Sequence, residues 1–280
     1  MFADLHIHSW HSDGTLSLKE IIEKARAQNI TLISICDHNL IDAYADFNDI
    51  DHAGIRIITG VEINSVINDA EYHILAYGFD MQDENLIKLL HYNRNILNDM
   101  GKNLIKQISM NYPSISLEEF QSYERNRKNG GWESLDYLKS KGIIKDVSDY
   151  LSMFNKYSNS ARKWTFASDK DFLHPSEIIK IIHNAGGRAV LAHLGESIGQ
   201  NLELCGEMAF QFLDMGIDGF ECYYPTHTDE ITEFLVKLCH EHNLMITVGS
   251  DEHGGFNGCE YFIGSVKIEI TKLRTANLNN

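Results

Sequence analysis

The sequence predicts an α/β protein, a (β/α) barrel interrupted by a helical insertion. Three observations lead there. In the first and last thirds of the 280-residue chain, short apolar runs alternate with amphipathic stretches; strands separated by helices of that length imply βαβ units and a parallel sheet. In the middle third the apolar spacing is helical throughout. Histidines and acids recur at the C-terminal ends of the expected strands, which in a parallel barrel gather on one face, where active sites are built. The length suits one barrel with an insertion, or two small domains.

Taken in order, "FADLHIH" reads as a strand and "SLKEIIEKARAQNI" as a helix, with Ser17 as N-cap, Glu20 completing a capping box, and Ile21, Ile22 and Ala25 forming an apolar stripe. "LISICDH", "IRIITGVEI" and "EYHILAYG" are three further strands. From about Asp83 to Leu173 only helices are expected, in "NLIKLLHYNRNILNDMGKNLIKQI", "SLDYLKSKGII" and "VSDYLSMFNKY". The alternation then resumes. "PSEIIKIIHNAGG" is a helix with Pro175 near its start and Gly186 and Gly187 at its end. Strand "RAVLAH", helix "LELCGEMAFQFLDMG", strand "IDGFECYY", helix "DEITEFLVKLCHEHN" and strand "LMITVGSDEH" follow. The barrel is thus expected at 1–82 and 174–280, and the insertion at 83–173.

Composition narrows the function. Hydrophobic content of 43% is ample for a core. No apolar run reaches the roughly 18 residues of a membrane span, and no basic segment followed by an apolar one marks a signal peptide. Cys36, Cys205, Cys222, Cys239 and Cys259 are odd in number and scattered, which reads as buried thiols. A cytoplasmic location is expected. The formal net charge of −16 repels long polyanions and argues against duplex DNA. A small phosphorylated substrate remains compatible where cations neutralise the site locally.

The metal-type residues fall on that map as a set. His6 and His8 lie on and just past the first strand, and Asp13 in the turn after it. Asp37 and His38 end the second strand, Glu62 ends "IITGVE", His73 lies in "EYHILAYG", His193 ends "AVLAH", and Asp251 and His253 end the last strand. Glu221 lies within "GFECYY", and His227 follows it. Residues i and i+2 of a strand point to the same side, so the His-x-His pair can grip one ion. Imidazole mixed with carboxylate suits Zn, Mn or Fe(II). The donors His6, His8, Asp13, His38, Glu62, His73, His193, Asp251 and His253 are too many for one ion and suit two or three, with a bridging carboxylate. Ions about 3.5–4 Å apart favour phosphate-ester hydrolysis. His11, His52, His91, His174, His183, His240 and His242 lack the strand-end setting and read as surface or helix residues. The basic island "ERNRK" is either a solvated helix face or a phosphate-gripping lid.

The segments "DLHIHSWHSDG", "CDHN", "GVEI", "YHILAYGFD", "AVLAHLG" and "VGSDEHG", in this order, resemble the PHP (polymerase and histidinol phosphatase) family. The likeness is to its stand-alone phosphoesterase branch, which includes nucleoside 3′,5′-bisphosphate phosphatases and 5′-to-3′ RNA-trimming enzymes. The resemblance implies a distorted (β/α)7 TIM-like barrel with a trinuclear site. It implies one ion held by His6, His8, Glu62 and Asp251, and a second by Asp13, His38 and His193. Glu62 would bridge to a third held by His73 and His253, and a hydroxide between the ions would be the nucleophile. It assigns Asp37 to orienting a ligand histidine and His227, in "YYPTHT", to substrate phosphate. Arg127 or Lys128 would stand in for an arginine that the branch carries in an Arg-Pro-His-like segment, and the family's usual "AHP" reads "AHL" here, with Leu194.

The expected function is metal-dependent hydrolysis of phosphate esters of nucleotides or short oligoribonucleotides. Histidinol-phosphate phosphatase is the alternative within the same chemistry. A C–N-cleaving amidohydrolase also uses His-x-His and a late aspartate, but commonly bridges its ions with a carboxylated lysine. No lysine ends "EYHILAYG" or "AVLAH", and Asp13, His38 and Glu62 would have no task there. A non-enzymatic PHP module would show lost ligands. The oligomeric state is left open.

Overall fold

A computed structural model of the chain describes residues 1–68, 70–157, 171–256 and 261–275. The chain opens with β1 (Phe2–Ile7), α1 (Leu18–Ala27) and β2 (Ile30–Ile35). α1 starts where the capping chemistry demands. Ser17 Oγ accepts from Glu20 N–H at 3.3 Å, and Ser17 N–H donates to the Glu20 carboxylate at 2.8 Å. Two donors that the first helical turn leaves without partners are thereby satisfied. Its buried stripe of Leu18, Ile21, Ile22 and Ala25 packs on Ile7, Ile33 and Ile35. Each such aliphatic side chain contributes roughly 1.5–3 kcal/mol on burial.

β3 (Arg56–Ile67) and β4 (Ala70–Tyr77) follow. The chain then leaves the sheet for α2 (Glu84–Ser109), α3 (Leu117–Gln121), α4 (Glu133–Ser140) and α5 (Val147–Tyr157). It returns through α6 (Pro175–Asn184), β5 (Arg188–Leu191), α7 (Leu194–Ser197), α8 (Leu202–Asp214), β6 (Gly219–Tyr223), α9 (Asp229–Glu241), β7 (Met245–Val248) and the short β8 (Ile268–Glu269).

The eight strands form one sheet in the order β7-β6-β5-β4-β3-β2-β1-β8. It nearly closes on itself. Beyond β7, Asp251 N–H donates to His6 O and His8 N–H donates to Glu252 O, both at 2.9 Å. The expected all-parallel sheet needs a correction: β4 runs antiparallel to both β3 and β5. Only two residues link β3 to β4, too few for a crossover, so the pair is a hairpin. β3 is also longer than "IRIITGVEI". β2 pairs only with Arg56–Thr59, so the far half of β3 and the near half of β4 rise together above the rim. Glu62 and His73 therefore sit within strands and not at their ends, and yet stand at the mouth.

The apolar core of the sheet, with Leu75, Val190, Phe212, Phe220 and Ile246 among its members, is covered by α6, α8 and α9. The insertion helices pack around a separate cluster that includes Ile105, Phe120, Tyr137 and Tyr150. α2 belongs to both. Its Leu86, Leu89 and Leu90 join the sheet's core, and its Leu104, Ile105 and Ile108 the helical one. Cys36, Cys205, Cys222 and Cys239 are buried and unpaired; Cys259 lies outside the described residues. Among the described residues no helix is long and apolar enough to cross a membrane.

Candidate metal centre

Strand parity brings the first donors together. His6 on β1 and His8 just beyond it project to one side, both fully buried, with their Nε2 atoms 3.1 Å apart. Glu62 from β3 reaches the same point. Its Oε2 lies 3.3 Å from His6 Nε2, 3.2 Å from His8 Nε2 and 3.2 Å from His38 Nδ1. Its Oε1 lies 2.9 Å from His73 Nδ1 and 3.0 Å from His193 Nε2. Asp251 Oδ1 is 3.0 Å from His8 Nε2 and 3.4 Å from His6 Nε2. Asp13, in the turn after β1, lies 3.5 Å from both His8 Nδ1 and His253 Nε2, and 3.7 Å from His38 Nε2. All nine donors named from the sequence thus meet at one mouth. The backbone bends to allow it: His193 and Asp251 have φ of +27° and +55°, in the left-handed region that non-glycine residues seldom occupy.

Outer hydrogen bonds set which ring nitrogen faces inward. His6 Nδ1–H donates to Glu221 Oε1 at 3.1 Å, and Glu221 Oε2 accepts from His193 N–H at 2.9 Å. His253 Nδ1–H donates to Asp251 O at 2.7 Å, and His73 Nε2–H to Glu71 Oε1 at 3.2 Å. With its outer nitrogen donating, an imidazole presents a lone pair to the centre.

Charge in the cluster is strongly polarised. Burial opposes ionisation of Glu62, but His38, His6 and His73 overcome it and hold the carboxyl well below its usual range. Asp251 is likewise held down, against burial, by His6, His253 and His8. Burial disfavours a charged His8, yet Asp251 and Glu62 push its pKa up to about 10. His38 goes the other way: burial dominates and brings it down to about 4. Packed carboxylates that draw protons onto buried imidazoles mark a place that demands positive charge.

Divalent ions meet that demand better than protons do. His8 Nδ1, His38 Nδ1, Glu62 Oε2, His73 Nδ1 and Asp251 Oδ1 are buried without a hydrogen bond. Buried polar atoms are ordinarily paired. Three overlapping donor groups result, each with donor atoms within 4.8 Å of one another: His6, His8, Glu62 and Asp251; His8, Asp13, His38 and His253; and His38, Glu62 and His73. Mixed imidazole and carboxylate donors at this spacing fit Zn, Mn or Fe(II).

The pairing differs from the expected one in two respects. His193 does not join Asp13 and His38 but sits against Glu62, its ring 5.2 Å from that of His73. His253 faces Asp13 and not His73. Strand order is the reason: β5 lies beside β4, whereas the loop after β7 closes onto β1.

Three of the expected site residues make other contacts in the structure. The Asp37 carboxylate accepts from Ser9 N–H, Ser9 Oγ–H and Ser12 Oγ–H at 2.5–2.7 Å. It braces the turn that carries Asp13. His227 has both nitrogens engaged: Nδ1–H donates to Cys222 O at 3.1 Å and Nε2 accepts from Gly195 N–H at 3.0 Å. It pins the turn after His193 and is not part of the cavity wall. Lys128 is paired with Glu20 at 2.5 Å and lies 5.2 Å over the Trp10 ring, outside the cavity lining.

A cavity of about 840 Å³ opens from the metal-type cluster to the insertion. Arg127 and Arg125, both from the basic island, line it, as do His11, read from the sequence as a surface residue, and Arg94, which the sequence did not single out. Arg125 is engaged, donating to Gly131 O and, at 3.0 Å, to Trp10 O. Nothing in the sequence separates Arg94 from any solvated cation on an amphipathic helix. Glu221 carries a usable signal, a carboxylate inside the apolar run "GFECYY", where burial without a partner is costly.

The sequence model of the PHP domain matches residues 4–171. A 5′-3′ exoribonuclease of Haemophilus influenzae is 27% identical over 254 residues, covering 89% of each chain. A 3′,5′-nucleoside bisphosphate phosphatase of Chromobacterium violaceum is 26% identical over 263 residues, covering 91% of this chain and 88% of its own. Among solved structures, a Bifidobacterium adolescentis protein assigned as a metal-dependent phosphoesterase superposes with a TM-score of 0.78 at 25% identity, over 96% of this chain and 93% of that one. Because that sequence model matches more than half of this chain, the chain belongs to the PHP domain family.

Proposed function

We propose that this protein is a metal-dependent phosphoesterase acting on phosphate esters of nucleotides, either 3′,5′-bisphosphate nucleotides or short oligoribonucleotides. Two or three divalent ions would be held by His6, His8, Asp13, His38, Glu62, His73, His193, Asp251 and His253. One observation carries the reading: the three donor groups overlap in pairs at His8, His38 and Glu62, each of which keeps a buried side-chain atom, Nδ1, Nδ1 and Oε2, without a hydrogen bond. Bound there, divalent ions acidify a water and neutralise charge on a phosphoryl group. The chain's own side chains do the remainder. Glu62 and Asp251 stay ionised, and Glu221, Glu71 and the Asp251 carbonyl hold the imidazoles in register. Arg94 and Arg127 would neutralise a further phosphate in a protein of net charge −16. Tyr123, Trp132 and Phe154 on the same cavity wall would supply aromatic surface to a base.

The names of the relatives favour the nucleotide branch, one an exoribonuclease and one a nucleoside bisphosphate phosphatase. No lysine lines the cavity among the described residues, which disfavours a carboxylated-lysine amidohydrolase. The same reading takes 1–82 and 174–280 as the barrel domain and 83–173 as the helical one, and gives the enzyme a cytoplasmic setting in keeping with the four buried, unpaired cysteines among the described residues. The test compares adenosine 3′,5′-bisphosphate, histidinol phosphate and a short 5′-phosphorylated RNA at defined metal. Turnover of a nucleotide only with divalent metal is expected, and His8→Ala should lose about 100-fold or more. Metal-independent turnover, or an unaffected variant, refutes the mechanism; preference for histidinol phosphate refutes the substrate class.

A further inference from the structure

α2 carries an anomaly at the point where it crosses the barrel mouth. Asn93 is fully buried, on the helix whose other sheet-facing residues are Leu86, Leu89 and Leu90. A carboxamide in such a place is costly unless it is well bonded. Asn93 Nδ2 donates twice, to Asn39 Oδ1 at 3.0 Å and to Asn64 O at 2.9 Å. Asn39 holds a left-handed conformation, φ +52°, and its N–H donates to Glu62 O at 2.8 Å. Its Nδ2 donates to Asn64 Oδ1. Asn64 Nδ2 donates in turn to Glu71 Oε1 at 2.5 Å, the oxygen that also accepts from His73 Nε2–H at 3.2 Å. The side-chain amides of Asn93, Asn39 and Asn64 donate in sequence toward one terminal carboxylate, and Asn64 N–H closes back onto Asn39 Oδ1 at 3.3 Å.

The network bears on one donor group. Asn39 follows His38, Asn64 is two residues on from Glu62 along β3, and His73 is the cross-strand partner of Asn64. Those three neighbours, His38, Glu62 and His73, are one of the three candidate ion-binding groups. Among the described residues, His6, His8, Asp13, Asp251 and His253 make no hydrogen bond to any member of the network.

We propose that Asn93 is a positioning residue for the ion-binding group His38, Glu62 and His73, acting through Asn39, Asn64 and Glu71. The inference rests on the reading of this mouth as a metal centre. It makes α2 part of the site's construction: the helix holds the Asn39 turn against β3, and Glu71 then meets His73 with the ring nitrogen that leaves Nδ1 facing Glu62.

Metal titration of the metal-free full chain tests this without recourse to hydrolysis. Wild type, Asn93→Ala, Glu71→Ala and the double variant are titrated with Mn²⁺ and Zn²⁺, and bound ions are counted by elemental analysis. In Asn93→Ala one class of site should weaken by about 10- to 100-fold while the others hold. The double variant should be no weaker than Glu71→Ala alone, because the two act along one path. Unchanged affinities, uniform weakening of every site, or additive losses overturn the proposal. If Asn93→Ala does not fold, Glu71→Ala carries the test: selective loss of one site supports the path, and no loss overturns it. A wild-type chain that takes up no metal overturns the metal-centre reading and this inference together. Normal uptake without phosphoesterase turnover strikes the proposed function alone.

Discussion

A single buried carboxylate, Glu221, organises one side of this site. One of its oxygens orients the His6 ring and the other receives the His193 backbone. Gly249 leaves room for it; a Cβ there would collide with the Glu221 carboxylate and His6 Cβ. Glu221→Ala should leave two buried donors without an acceptor, at about 1–3 kcal/mol each, and weaken metal binding by about 10- to 100-fold. Urea unfolding and metal titration of the variant read both effects, and wild-type values in both would sink this account of Glu221. The donors themselves were legible residue by residue, because imidazoles and acids in apolar strands are chemically out of place. The contacts of Asp37 and His227 were not, since a motif names a residue type and not the atoms it will meet.

At the scale of the element, α1 was legible down to its cap, because Ser17, Glu20 and the apolar stripe are local signals. Its tie to the insertion was not. Glu20 also receives Lys128, whose bond, ahead of those from Ser17, lowers the Glu20 pKa from an ordinary 4.5 to about 2. A depressed folded-state value means stabilisation that is present above the unfolded pKa and lost as pH falls through the folded one. Glu20→Gln should therefore be less stable than wild type at pH 7, by less than about 1 kcal/mol because the pair is partly exposed. The gap should shrink between pH 4.5 and 2. Urea midpoints at pH 7 and at pH 3 measure it, and a gap that stays constant with pH rules the ion pair out. β3 and β4 show the converse case. Their apolar pattern predicted two strands, but neither the pattern nor the composition reports strand direction.

At the scale of the whole molecule, the metal-type cluster draws its nine donors from both ends of the chain, so any ion held there fastens the ring shut. An ion that binds only the folded state stabilises it by about 2.7 kcal/mol when its concentration is 100 times its dissociation constant. Chelation should lower the melting temperature, and re-addition of Mn²⁺ or Zn²⁺ should restore it. Calorimetry with and without chelator is the measurement, and an unchanged melting temperature would count against any ion in the fold. Residue types and strand period are local properties, so the sequence by itself determined which side chains could serve the site and where the longer strands and helices would lie, though not the short α3, α7 and β8. The reversal of β4, the exchange of partners between His193 and His253, the engagement of His227 and the reach of Asn93 into the mouth depend on which strands lie side by side and where the ring closes. Those contacts join residues far apart along the chain, and only the tertiary structure decided them.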